Sequence, residues 1–175
     1  MGAWESDTAS HVSTMGENDF ASNELSTTIG ADDSLRIEHV AADGTVTVLK
    51  EAVPVLAGEV VDATFMNVKA LRSFLAAEIA DAKDKGILFS LHMKATMMKV
   101  SDPILFGHAV KVFFADVFAK HGEVLDAAGV NVNNGFGNLL GALEGMDPAV
   151  RAEICLLYTS PSPRDQRGSR MPSSA

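Results

Sequence analysis

The run "ILFSLHMKATMMKVSDP", residues 87–103, places two ammonium groups, Lys94 and Lys99, among Leu, Met and Val. A lysine partly withdrawn from water loses some of its preference for the charged form. It then exchanges a proton near neutral pH and still attracts a carboxylate. Lys94 is the stronger candidate, because the alternation before it reads as a strand and a loop and helix follow. Strand ends that feed a helix open into the crevice where α/β folds bind ligands. The plain alternative is a lysine whose head reaches solvent past an apolar stem. Lys99, in the loop, has the easier path to water, and Met93, Met97 and Met98 read as core filler. The histidines at 11, 39, 92, 108 and 121 show no metal-ligand spacing, and neither HExxH nor CxxC occurs. "GVNVNNGFG" has glycines but lacks the GxGxxG order, and no Ser-His-Asp arrangement is defensible.

The elements that must hold Lys94 follow from periodicity. The first thirty residues are polar and read as loop or an extended arm. "SLRIEHV" and "GTVTVLK" alternate apolar with polar around "AADG", predicting a hairpin with Asp43-Gly44 supplying positive-φ turn residues. "GEVVDATF" is a third alternation. Asn67 is an N-cap candidate for a helix whose stripe is Val68, Leu71, Leu75, Ile79 and Ala82, ended by Gly86. "ILFSLHMK" predicts a strand with Ile87, Phe89, Leu91 and Met93 on one face and Leu88, Ser90, His92 and Lys94 on the other. Asp102-Pro103 predicts the start of a helix carrying Phe106, Val110, Phe113, Phe114 and Val117 and ending at His121-Gly122. Short helices follow at "EVLDAA", "NLLGALEG" and "DPAVRAEI", with "NVNNGFG" a turn-rich loop. The class is α/β, with too few strands for a large sheet.

Bulk properties exclude several functions. The net charge of −9 argues against a nucleic-acid partner. No stretch approaches the roughly 20 apolar residues of a membrane span, and the N-terminus has no basic, apolar leader. A lone cysteine fits a reducing, cytoplasmic compartment.

The end of the chain, "CLLYTSPSPRDQRGSRMPSSA", holds the only Cys, the only Tyr and three of the six prolines. "CLLYTSPSPRD" resembles the translation of a transposase adapter from sequencing libraries, and "SRMPSSA" the flow-cell sequence that follows it, with "QRG" as the index between. Residues 155–175 are therefore expected to be a non-native, disordered tail. Without Arg164, Arg167, Arg170 and Asp165 the remainder holds 11 basic and 22 acidic residues, a net −11.

Three stretches, "MGAWESDTASHVSTMGENDF", "MKATMMKVSDPILFGHAV" and "GVNVNNGFG", closely resemble the monomeric type of NADP-dependent isocitrate dehydrogenase, in register from Met1 to about Ile154. The resemblance implies a fragment of the large α/β domain of a longer two-domain, monomeric enzyme, with Met1 either an internal codon or a true start. That enzyme oxidises isocitrate with NADP and Mg2+ or Mn2+ to 2-oxoglutarate and carbon dioxide. The lysine of its "KATMMK" motif falls on Lys94, which the resemblance makes both catalytic and substrate-binding, at the C2 hydroxyl. It implies no metal ligand and no NADP-binding residue within 1–154, and Tyr158 is not the family's catalytic tyrosine. The chain alone is then expected to be inactive and prone to associate. The competing reading is a small self-contained binding or structural domain with Lys94 at its surface.

Overall fold

A computed structural model describes residues 6–92 and 100–159. They divide into two units. One comprises residues 15–67, and the other is built from 68 onward together with the segment before residue 15.

The first unit is a pair of two-stranded antiparallel ribbons. Helix α1 (Phe20–Asn23) opens it, held by a reciprocal capping box in which the Ser22 amide donates to Asp19 Oδ1 at 2.9 Å and the Asp19 amide to Ser22 Oγ at 3.1 Å. Strand β1 (Leu25–Thr28) pairs with β4 (Val60–Ala63), Leu25 opposite Ala63 and Thr28 opposite Val60. The side chain of Asn23 extends that pairing. Its Oδ1 accepts from the Phe65 amide at 2.8 Å and its Nδ2 donates to the Phe65 carbonyl at 2.8 Å, as a strand residue would. A helix and a strand thus occupy the stretch read as an arm, because the partner of β1 lies more than thirty residues away.

Strands β2 (Asp33–Val40) and β3 (Val46–Val55) form the expected hairpin. Its turn differs in detail from the expectation. Only Gly44 has positive φ (85°), while Asp43 contributes its carboxylate, which accepts from the Thr45 amide at 2.9 Å. The first unit buries little: Val55 is its one fully buried hydrophobic residue among those described, while Leu49 and Val60 are each 66% exposed.

The second unit is helical. Helix α2 (Val68–Lys85) starts directly after Asn67 and buries Leu71, Leu75 and Ala82 from the anticipated stripe. Gly86 (φ 65°) ends it in a Schellman arrangement: its amide donates to Lys83 O at 3.1 Å and the Ile87 amide to Ala82 O at 2.9 Å. Residues 87–92 then run without strand pairing, contrary to the expected strand. No described strand lies alongside to accept its ladder bonds, and an apolar alternation without a partner has nothing to hold it extended.

Helix α3 (Ser101–Phe113) begins earlier than the Asp102-Pro103 signal suggests, so the buried Asp102 lies within its first turn and does not cap it. The break after α3 comes at Phe114 (φ −104°, ψ 37°), and α4 (Ala115–Ala127) continues through His121-Gly122, where a helix end was expected. Neither proline nor glycine marks the break. Phe114 instead stacks on Phe136, with centroids 4.3 Å apart and rings 16° from parallel, and Phe113 meets it edge-on at 4.9 Å.

After α4, a 3₁₀ turn (Val132–Asn134) precedes α5 (Phe136–Leu143) and α6 (Pro148–Thr159). Asp147 caps α6 by accepting from the Ala149 amide at 2.9 Å, with Pro148 at the first helical position. The helix continues through Cys155–Thr159, so the boundary anticipated at Ile154 falls inside it, and Tyr158 sits edge-on to Phe136 at 5.6 Å. The core is Val117, Leu125, Leu139, Leu143 and Ile154, with Phe114, Phe136 and Tyr158 packed around it. Between them the two units hold helices and small two-stranded sheets, a mixed helix-and-strand content.

Candidate functional site

Lys94 and Lys99 fall in residues 93–99, outside the described residues. The segment is bracketed by His92, which is exposed, and by the start of α3. Asp102, in the first turn of α3, is buried.

Three groupings of polar side chains occur elsewhere. His11, Glu78 and Asp81 bring donor atoms within 4.8 Å of one another, beside a cavity of about 360 Å3 walled by Phe74, Leu75, Ile87 and Phe89. Glu78 and Asp81 are three apart on α2 and so share a face, to which His11 comes from 67 residues away in the chain for Glu78. The trio is already engaged: Lys85 Nζ lies 2.8 Å from Asp81, and Ser13 Oγ donates to Glu78 Oε2. Lys85 and His11 thus both approach the Asp81 carboxylate, at 2.8 and 3.8 Å, and the cluster already holds a surface ion pair.

The second grouping lies between α2 and α3. Arg72 Nε and Nη2 approach His108 Nδ1 at 3.3 and 3.2 Å. Burial holds the His108 imidazole below its ordinary range, and the positive charges of Arg72 and Lys111 push it the same way.

The third is in the core. His121 is 7% exposed, and its Nε2 has no hydrogen-bond partner, although Glu153 Oε2 lies 3.6 Å away and Lys120 holds the same carboxylate at 3.2 Å. His39 is exposed on β2, opposite Thr47.

None of these groupings was visible as spacing, because each joins residues on different elements. The one signal available was the helical repeat that puts Glu78 beside Asp81 and His108 beside Lys111. Among the described residues no glycine loop joins a strand end to a helix start, the arrangement that cradles a dinucleotide pyrophosphate. Gly135 (φ 89°) precedes α5 but follows a 3₁₀ turn.

Comparison with known proteins gives these elements their context. Residues 1–162 match the family described as monomeric isocitrate dehydrogenase. The chain is 54% identical over 147 residues to the isocitrate dehydrogenase [NADP] of Corynebacterium efficiens and to that of Corynebacterium glutamicum, 84% of this chain in each case. It is 50% identical over 154 residues, 88% of the chain, to the isocitrate dehydrogenase [NADP] of Azotobacter vinelandii. These alignments cover 20% to 21% of the relatives, so the chain spans about a fifth of their length. With a family match that runs across the hairpin, all the helices and the Lys94 segment, this chain belongs to the monomeric isocitrate dehydrogenase family.

Proposed function

We propose that this chain is a segment of an NADP-dependent isocitrate dehydrogenase and that Lys94 is its contribution to the active site. The observation that carries the reading is the family match over residues 1–162, which contains the "KATMMK" stretch, together with identity above 50% to relatives named isocitrate dehydrogenase [NADP]. In this reading Lys94 binds isocitrate and exchanges the proton of its C2 hydroxyl during oxidation. An ammonium there also offsets the negative charge of a tricarboxylate.

The reaction needs NADP and a divalent metal, and the described residues do not fit either. The His11, Glu78 and Asp81 trio is taken up by Lys85 and Ser13, and no phosphate-cradling loop is present among them. In this reading the residues that hold those groups lie in other parts of the longer enzyme. The chain by itself should accordingly be inactive. In this reading the setting is cytoplasmic, as the lone cysteine suggests, the acidic charge of −9 argues against a nucleic-acid partner, and no described helix is long and apolar enough to cross a membrane.

The test uses the full-length Corynebacterium glutamicum relative, with the lysine that aligns with Lys94 replaced by methionine. Loss of an acid/base group should lower kcat about 100-fold or more while the protein remains folded. Unchanged turnover would remove Lys94 from the chemistry. Isocitrate-dependent NADPH formation by the purified 175-residue chain would refute its inactivity.

A further inference from the structure

Arg72 of α2 and Lys111 of α3 line one shallow groove of about 470 Å3, with Ala76, Val112, Ala115 and Phe118 along its apolar floor. The chain is acidic overall, and several of its cations have found carboxylates: Arg36 has Glu38, Lys85 has Asp81 and Lys120 has Glu153. Among the described residues neither Arg72 nor Lys111 has a carboxylate within 4 Å. Arg72 donates instead to His108 Nδ1. That bond makes Nδ1 the acceptor and places the proton of the neutral ring on Nε2. Two cations without a carboxylate partner among the described residues thus line one apolar trough, with His108 beside them.

We propose that this groove binds a small organic phosphate monoester, its dianion held by Arg72 and Lys111 and its apolar body laid over Val112, Ala115 and Phe118. Two cations match a dianion better than a singly charged carboxylate. The planar guanidinium suits phosphate oxygens, and its Nη1 is free of the His108 contact. The groove is shallow and open, so a ligand would lie against one apolar wall, with the two cations fixing its charged end. The site is independent of Lys94 and of the isocitrate chemistry proposed above.

The probe is phenyl phosphate, titrated into the 175-residue chain at constant ionic strength and followed by calorimetry and by the His108 imidazole resonances. Saturable binding is expected, and the His108 pKa should rise on binding, because a dianion beside the ring favours the imidazolium. Inorganic phosphate and phenol should each bind about tenfold more weakly, one lacking the apolar body and the other the charge. Lys111→Met keeps the stem and removes the charge, and should weaken phenyl phosphate about tenfold with the circular dichroism spectrum unchanged. Arg72→Met should do the same, and as it also frees His108, the Lys111 variant is the cleaner arm. Phenol binding as tightly as phenyl phosphate, a His108 pKa that does not move, or full affinity in Lys111→Met would each overturn the proposal.

Discussion

Replacing Gly107 with alanine puts a methyl group where α3 and the 3₁₀ turn leave no room for one. A Cβ built on Gly107 would lie 1.9 Å from Asn133 Oδ1, 3.0 Å from its Cγ and 3.2 Å from its backbone nitrogen. The amide oxygen can swing away, but the Cγ and the backbone nitrogen belong to a turn fixed by the Asn131 side chain, which accepts from the Asn133 amide at 3.1 Å. Relief therefore requires α3 and the turn to separate by a few tenths of an ångström. Overpacking of this kind costs about 1–3 kcal/mol. Alanine recovers about 1 kcal/mol through its better helix propensity, leaving a net loss of up to about 2 kcal/mol. Gly122, inside α4, is the internal control: a Cβ there meets nothing within 4 Å. Gly122→Ala should gain about 0.5–1 kcal/mol. The two substitutions should move urea midpoints, read by far-ultraviolet circular dichroism, in opposite directions. In thermal unfolding each kcal/mol corresponds to about 2–4 °C for a chain of this size. If Gly107→Ala proves as stabilising as Gly122→Ala, the close approach of α3 to the turn is not a feature of the folded chain.

Two further perturbations probe the core and the ribbons. Leu139 is fully buried among Val117, Leu125, Leu143 and Ile154, so Leu139→Ala should cost about 2–5 kcal/mol in denaturant unfolding. Its neighbour Leu140, 41% exposed, should cost under about 1 kcal/mol when cut to alanine, and equal losses would refute the placement of the core. In the ribbon unit, a hydrogen bond with Asp62 and the repulsion of its charge raise the pKa of Glu24. A raised carboxyl pKa means that this pair favours the folded unit below the ordinary carboxylate range and loses that contribution as pH rises through the folded pKa. Asp62→Asn should lower the Glu24 pKa and flatten that loss, as read by carbon NMR of the Glu24 carboxyl. A Glu24 titration unmoved by the substitution would show that the two carboxyls do not meet.

Local signals in the sequence were enough for the features that are themselves local. The Asp43-Gly44 hairpin, the α2 stripe with its Gly86 stop and the Asp147-Pro148 start of α6 each depend on side chains and dihedrals within a few residues. The family resemblance was legible for a related reason, being carried by long contiguous words such as "MKATMMKVSDPILFGHAV" and "GVNVNNGFG". Of the candidate site, the words supplied the identity of Lys94, whose surroundings lie outside the described residues.

Tertiary structure decided whatever needed a distant partner. Strand β1 exists because β4 supplies its ladder, whereas residues 87–92, with an equally good alternation, find no described strand to pair with. Phe114 ends α3 where Phe136 receives its ring, and Gly122 passes through α4 as an ordinary helical residue. The Arg72–His108 contact and the buried position of His121 join or enclose residues whose separation along the chain carries no periodic signature. Periodicity reports which face of an element is apolar, but the partner that covers that face is chosen only when the chain closes on itself.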